Sequence, residues 1–187
     1  IHKHHSKNCK VTDRCQVKSK MNKEVVLTPE ISKVYINHIP LDYFTSSLKH
    51  NFKETKITSN VVIDRESSKN LSLLLSRVID IMNGSDELFI IDSAHIMPKD
   101  IIKYLDRDKW DIYYLGYPNI TVNEKLEIIR KYDTENDWTY RKTDEELENI
   151  LYNLINLSKE IEEDCKEHNI PFIDTSEGIE NAIKNIM

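Results

Sequence analysis

An acidic residue ends an apolar run near the middle of the chain. Residues 88–91 are Leu-Phe-Ile-Ile, and Asp92 and Ser93 follow them directly. A strand that is buried on both faces reads as such a run, and an open α/β sheet places its ligand site at the carboxyl ends of its strands. An aspartate there can hold Mg²⁺, directly or through water, beside the phosphates of a nucleotide. The alternative is a core strand followed by an ordinary Asp-Ser turn.

Length and composition favour one globular domain in a reducing compartment. The chain has 187 residues, of which 31% are charged, and a net charge of −6. An acidic chain argues against nucleic acid or a membrane surface as partner, and no apolar run approaches the roughly 20 residues that span a bilayer. Three cysteines without paired spacing, and an N-terminus without an apolar signal core, predict a cytoplasmic protein. Nothing in the composition indicates an oligomeric state.

The first 22 residues differ in composition from the rest of the chain. They are basic and polar, without helical or strand periodicity, and they predict a poorly structured tail before a single α/β domain over residues 23–187. A metal site is the alternative for this tail, with four candidate ligands: His4, His5, Cys9 and Cys15. Their spacing matches no familiar zinc template, so we prefer the tail interpretation.

Helical and extended patterns alternate from residue 60 onward. The clearest helix covers residues 67–82, where apolar residues recur at three- and four-residue steps and an Asn-Gly pair follows. A Thr-x-x-Glu capping box at Thr143 begins a second long helix, which runs to about residue 168. This order predicts a mostly parallel sheet with helices on both faces, a three-layer α/β sandwich. Its strands are expected at residues 88–92, 111–116 and 172–174.

Shorter elements complete the predicted order. Two further strands are expected, at residues 23–27 and 37–41. Five shorter helices are expected, at residues 29–33, 45–52, 98–105, 121–132 and 176–186. The polar stretch 133–143, which carries Trp138, is predicted to be a mobile loop.

Four stretches of the chain carry a resemblance to a known family. Residues 38–42 read His-Ile-Pro-Leu-Asp and residues 89–92 read Phe-Ile-Ile-Asp. Residues 121–143 combine a helix with a polar, arginine-containing loop, and residues 169–175 read Asn-Ile-Pro-Phe-Ile-Asp-Thr. In this order they resemble the P-loop small-molecule and nucleotide kinases of the adenylate-kinase and shikimate-kinase type. The four stretches would then be the acceptor-side strand, the Walker B strand, the LID, and the last strand and turn beside the adenine.

The resemblance implies ligands and roles for single residues. It implies ATP and Mg²⁺ as cofactors, with a nucleotide and a small-molecule acceptor as partners. Asp92 would hold Mg²⁺, and Asp42 would orient or deprotonate the acceptor hydroxyl. Arginines bind two phosphate oxygens with their planar fork, and Arg130 and Arg141 would stabilise the transferring phosphoryl group.

Other residues would line the two pockets of such a kinase. Four side chains would contact the acceptor: Tyr43, Phe44, Arg65 and His95. Two would contact the nucleotide: Lys142 and Thr175. Each of these assignments has a plain structural alternative. The aspartates would be caps or turns, the cations would be solvated helix surface, and the histidine would be satisfied within a turn.

One defining part of the family is absent from the sequence. The Walker A loop, G-x-x-x-x-G-K-[ST], needs glycines so that successive backbone N–H groups can surround the β-phosphate. The chain has only three glycines, and none precedes Gly84. Only about 14 residues separate Val25 from Ile39, whereas a βαβ unit needs about 30. The element is therefore shortened or replaced, with residues 31–35 as a possible remnant of the helix that follows the loop.

These observations predict a P-loop-kinase-like protein in which ATP-dependent phosphoryl transfer is impaired. The absence of Walker A has three interpretations: a natural degenerate kinase fold, a disrupted kinase gene product in which residues 1–35 are not native family sequence, or phosphates held by unrecognised groups. The alternative function is a non-catalytic ligand- or protein-binding protein on the same fold. A flavodoxin-like domain is a further possibility, but no phosphate-binding loop follows a first strand here either.

Overall fold

The fold is taken from a computed structural model, which describes residues 14–19 and 36–184. Side chains are described for most of the second range, from residue 37 onward. The predicted strand at residues 23–27 and the predicted helix at 29–33 lie outside the described residues. The side chains of the alternative metal site in the tail lie outside them as well.

Five strands of the described ranges form one mixed sheet. They are β1 (Arg14–Ser19), β2 (Ile36–Pro40), β3 (Leu88–Ser93), β4 (Trp110–Gly116) and β5 (Phe172–Asp174), in the spatial order β2-β3-β1-β4-β5. β2 pairs parallel with β3, and β4 pairs parallel with β5. β1 pairs antiparallel with both β3 and β4. The α/β class and its parallel pairs are confirmed, but the central strand runs against its neighbours.

The central strand comes from a segment that the sequence predicted to be a tail. Residues 14–19 lie within the first 22, yet their backbone pairs along its length with β4, from Arg14 opposite Leu115 to Ser19 opposite Trp110. The prediction missed this strand because backbone pairing does not need the apolar alternation that identifies strands in a sequence.

Helices and turns connect the strands. They are α1 (Leu41–Asn51), a 3₁₀ turn (Lys53–Thr55), α2 (Arg65–Met82), α3 (Pro98–Ile101), α4 (Val122–Tyr132), α5 (Asp144–Glu167) and α6 (Ile179–Lys184). The two long helices and α4 are confirmed nearly to the residue. α1 begins four residues earlier than predicted, α3 is half the predicted length, and α6 begins three residues later than predicted. No helix in the described ranges is both long and apolar enough to span a bilayer.

Local signals explain where the long helices begin. Asp64 caps α2 by accepting a hydrogen bond from the backbone N–H of Ser67 at 2.7 Å. Thr143 and Glu146 form the predicted capping box of α5, and Thr121 and Glu124 form an equivalent one at α4. Each box satisfies backbone N–H groups that the first turn leaves without partners.

The core packs the apolar stripes of α2 and α5 against the sheet. Leu71, Leu75 and Ile79 of α2 are buried, as the three- and four-residue spacing predicted. Burial alternates along β4: every second residue, beginning with Trp110 and Ile112, is buried. The two long helices therefore pack on the sheet whose strand ends carry the candidate site.

The strand directions bring four carboxyl ends to one edge of the sheet. β1 is antiparallel to both β3 and β4, so β3 and β4 point the same way, and their parallel partners β2 and β5 follow. The residues that follow these four strands therefore share one edge, with β1 between the two pairs. This is the edge at which α/β sheets bind ligands.

Candidate functional site

The carboxyl ends of β2 and β3 bring together two histidines and two aspartates. We call this group, His38, Asp42, Asp92 and His95, the β2–β3 site. Pro40 lies opposite Asp92 in the parallel register, so residues two positions away on either strand come within side-chain reach. His38 projects from β2, and its Nε2 forms a short hydrogen bond with Asp92 Oδ2.

Asp92 is the most buried carboxylate of the β2–β3 site. Its side chain is 7% exposed, whereas that of its partner His38 is 56% exposed. A carboxylate in such a position needs hydrogen-bond partners, because burial of an unpaired charge is costly. The His38 ring supplies such a partner to Oδ2 of Asp92.

The sequence analysis expected Asp42 at the end of a strand, and this expectation is wrong. β2 stops at Pro40, and Asp42 lies in the first turn of α1, where the helix dipole favours an acid. Its Oδ1 lies 3.8 Å from Nε2 of His95, beyond hydrogen-bond distance. Oδ1 is buried and accepts no hydrogen bond from the described part of the chain.

The environment of His95 favours its neutral form. Burial lowers the pKa of His95 below its ordinary value, and the nearby Lys49 lowers it further. The carboxylate of Asp42 and a hydrogen bond with the backbone of Asn60 oppose this shift without cancelling it. At neutral pH the ring is therefore uncharged, and it does not neutralise the carboxylate beside it.

The donor set of this site fits Mg²⁺ only in combination with ligand oxygens. No group of three metal-ligating side chains occurs within the described ranges. Mg²⁺ is commonly bound by one or two carboxylates together with waters and substrate phosphates, so Asp92 alone is a sufficient protein ligand. The hydrogen bond from His38 competes with the metal for one of its oxygens.

The carboxyl ends of β4 and β5 form a second polar cluster, which is closed by its own hydrogen bonds. Asn119 Nδ2 donates to Asp174 Oδ2 at 2.7 Å, and the backbone N–H of Ser176 donates to Asp174 Oδ1 at 2.8 Å. Asn119 N also donates to Ser176 Oγ at 3.0 Å. We call these residues, with Thr175, the β4–β5 turn. Burial opposes ionisation of Asp174, but hydrogen bonds from Ser176 and Asn119 outweigh it and lower its pKa.

Thr175 contributes to the structure of this turn. The residue is 5% exposed. Its hydroxyl donates to the carbonyl oxygen of Gly116 at 2.8 Å, and its backbone N–H donates to the same oxygen at 2.7 Å. These bonds tie the end of β5 to the end of β4. The nucleotide contact predicted for Thr175 stays a prediction, and its hydroxyl is already engaged.

A cavity of about 730 Å³ lies beside the β4–β5 turn. Its volume falls within the range of small-molecule sites. Its lining combines acidic, amide and apolar side chains. The acids are Glu124, Glu127, Asp174 and Glu177, the amides are Asn119 and Asn181, and the apolar residues include Ile120, Ile128 and Ala182. Among the described residues, no lysine or arginine is part of that lining.

Arg130 is engaged at the junction of α4 and α5. Its guanidinium donates to Asp144 Oδ1 at 2.8 Å and to the carbonyl oxygen of Lys142 at 2.7 Å. It also reaches the carbonyl of Thr139 at 3.5 Å and lies 3.5 Å from Asp133 Oδ2. These contacts join the two helices. The expected mobile loop between them is thus fixed by hydrogen bonds, and Arg130 is not directed at the β2–β3 site.

The remaining predicted site residues are spread over the surface. Arg141 is exposed, and Lys142 is half-buried. Arg65 pairs with Glu160 and so joins α2 to α5. Tyr43 and Phe44 follow Asp42 in α1 and are exposed, at 78% and 54%. Of the ten predicted residues, the structure thus brings Asp42, Asp92 and His95 together.

His38 is the site residue for which the sequence analysis proposed no role. It was quoted only as the first residue of a resembling stretch. Its position two residues before Pro40, on a strand predicted to end near the site, was the available signal. In a parallel pair such a residue shares a face with the end of the neighbouring strand.

No family model, curated protein or solved structure matches this chain.

Proposed function

We propose that this chain is a P-loop-kinase-like domain, a three-layer α/β sandwich of cytoplasmic location in which phosphoryl transfer is impaired. The observation that carries the proposal is the convergence of Asp42, Asp92 and His95 at the carboxyl ends of two neighbouring parallel strands. Acidic groups at that edge are what a site for Mg²⁺, phosphates and a hydroxyl acceptor requires. Its ancestral reaction is ATP-dependent transfer to a small molecule or nucleotide.

Each residue of the site has a role in this proposal. Asp92 would hold Mg²⁺, and the metal would neutralise charge on the phosphate oxygens. Asp42 orients the hydroxyl of the acceptor and accepts its proton, for which its partly exposed side chain is available. His38 holds the Asp92 carboxylate in place through its hydrogen bond.

Two features of the chain oppose efficient phosphoryl transfer. The sequence has no Walker A loop to surround the β-phosphate, and phosphoryl transfer depends mainly on positioning and electrostatic stabilisation. Arg130, which would supply positive charge to the transition state, is already bound to Asp144 and two backbone carbonyls. The site thus keeps its acidic groups, while the arginine expected to oppose them is engaged between α4 and α5.

A non-catalytic ligand- or protein-binding role is the second candidate. The observation that favours it is the pairing of Asp92 with His38, which competes with a metal for one oxygen of the carboxylate. The exposed aromatic residues Tyr43 and Phe44 beside Asp42 also offer contact area. In that case the β2–β3 site binds a ligand and no bond is transferred.

Measurement of ADP release tests the catalytic part of the proposal. Wild type and Asp92→Asn are incubated with Mg-ATP and a panel of small hydroxyl compounds, and ADP is quantified. Asp80→Asn is the matched control, because Asp80 is an exposed acid of α2 at 63% side-chain exposure. We expect all three proteins to release ADP at the same background rate. Rapid release that depends on Asp92 would show that transfer is intact and overturn the proposed impairment.

A further inference from the structure

His95 is held in place by two neighbouring segments. It follows β3 directly, and its backbone N–H donates to Ser93 Oγ at 3.1 Å. Its ring is hydrogen-bonded to the backbone of Asn60, in the segment that precedes α2. The side chain is only 12% exposed. The ring therefore has little freedom to turn, and Nε2 stays directed at Asp42.

The two oxygens of Asp42 have different environments. Oδ1 is buried, lies 3.8 Å from His95 Nε2, and accepts no hydrogen bond within the described ranges. The side chain as a whole is nevertheless 44% exposed, so the rest of the carboxylate faces outward. A buried carboxylate oxygen without a donor is destabilising. A proton on His95 Nε2 would supply that donor.

We propose that His95 is a positioning residue whose protonation state decides whether Asp42 is free to bind a hydroxyl-bearing ligand. With one proton gained from solvent, His95 Nε2 becomes a donor, and the Asp42 carboxylate moves onto it as a hydrogen-bonded ion pair and is held inward. Without that proton, the carboxylate is free to turn toward a ligand. The inference rests on the proposed function, because it assigns Asp42 to the acceptor, and it adds regulation of that site by pH.

The charged groups around His95 support this switch. Within the described residues the charged groups acting on the ring are Asp42 and Lys49, both from α1, and the backbone of Asn60 contributes a hydrogen bond. Burial and Lys49 oppose the proton, and Asp42 attracts it. Asp42 is therefore the one group whose removal would weaken proton binding through loss of opposite charge.

The test is an NMR titration of histidine-labelled protein between about pH 4.5 and 8.5. In wild type we expect the ring of His95 to titrate below the ordinary histidine range, and Asp42→Asn to move its midpoint to still lower pH. His50, which is exposed in the last turn of α1, is the internal control and should not move. An unchanged His95 midpoint in Asp42→Asn would overturn the inference.

A reciprocal measurement needs no substitution. The ¹³Cγ resonance of Asp42 in wild type should change at the midpoint of His95, because the carboxylate senses the charge gained by the neighbouring ring. His95→Gln should abolish that change while preserving the fold. A wild-type resonance that does not respond at the midpoint of His95 would contradict the pairing. Neither measurement uses ATP, so this inference and the proposed nucleotide function can fail separately.

Discussion

The β4–β5 turn and the β2–β3 site lie at the same edge of the sheet, but their polar groups differ in how completely they are hydrogen-bonded. At the β4–β5 turn, both oxygens of Asp174 accept hydrogen bonds, and the hydroxyl of Thr175 is engaged. At the β2–β3 site, Asp42 keeps a buried oxygen without a hydrogen bond from the described residues. Buried polar groups in proteins are nearly always satisfied. A fully bonded cluster indicates a structural role, whereas an incomplete one indicates a place for a ligand or a proton.

Arg130, whose hydrogen bonds are also made within the protein, gives the largest expected effect on stability. Arg130→Ala should lower the free energy of unfolding by about 2 kcal/mol, because it removes hydrogen bonds from a charged donor to Asp144 and to two carbonyls. Chemical denaturation measures this. Arg141→Ala is the matched control, since that exposed side chain should contribute within about 0.5 kcal/mol. Equal stability of the two variants would show that Arg130 does not join the helices.

A buried hydroxyl in the β4–β5 turn gives the next effect. Thr175→Val keeps the shape of the side chain and removes its bond to Gly116, so we expect a loss of about 1 kcal/mol. The melting shift produced by Mg-ATP should be the same as in wild type. A stable variant with a reduced nucleotide shift would instead support the predicted nucleotide contact.

Replacement of an aspartate by asparagine should change stability differently at the β4–β5 turn and at the β2–β3 site. Asp174→Asn removes a carboxylate that accepts two hydrogen bonds and should cost about 1 kcal/mol or less, reduced by solvent exposure. Asp42→Asn should leave stability unchanged or raise it slightly, because it removes a charge with a buried, unbonded oxygen. Denaturant titrations at pH 7 measure both. An equal loss at Asp42 would remove the contrast between the two ends.

The pH dependence of the Asp174 contribution has a definite sign. The pKa of Asp174 is lower in the folded state, so its stabilisation is present above the unfolded value near 3.9 and is lost as pH falls through the folded pKa. The stability difference between wild type and Asp174→Asn should therefore shrink in acid. A difference that stays constant to pH 2 would contradict the role of its charge.

His95 gives the smallest expected effect on stability. Its pKa is lower in the folded state, so the unfolded chain binds more protons. Stability is therefore lost as pH falls below about 6.5 toward the folded pKa. His95→Gln should flatten the stability profile between pH 7 and pH 5, whereas His50→Gln should not. A steeper profile in His95→Gln would reverse the assigned direction of the shift.

Local signals let the sequence predict most of the helices. The stripe of α2 and the capping box of Thr143 and Glu146 act within a few residues of each other. β1 was missed because its pairing depends on β3 and β4, which lie more than 70 positions away in the chain. The start of α1 was placed too late, so Asp42 was expected at a strand end.

The candidate site was predicted only in part. Asp42, Asp92 and His95 could be selected because each lies next to a predicted strand end, and parallel strands share an edge. The partners of Arg130 could not be predicted. The sequence does not show whether an arginine will bond to groups of the neighbouring helix or point into a ligand site. His38 acquires its role only through the register of β2 against β3.

The central claim is that the β2–β3 site still recognises a magnesium nucleotide through Asp92. The most direct measurement is the melting temperature of wild type and Asp92→Asn with ATP, with and without Mg²⁺, with Asp80→Asn as control. A ligand at about 100 times its dissociation constant stabilises by roughly 2.7 kcal/mol. We predict a rise that requires both Mg²⁺ and Asp92. No rise in wild type, or an equal rise in Asp92→Asn, would contradict the claim and leave the non-catalytic binding role.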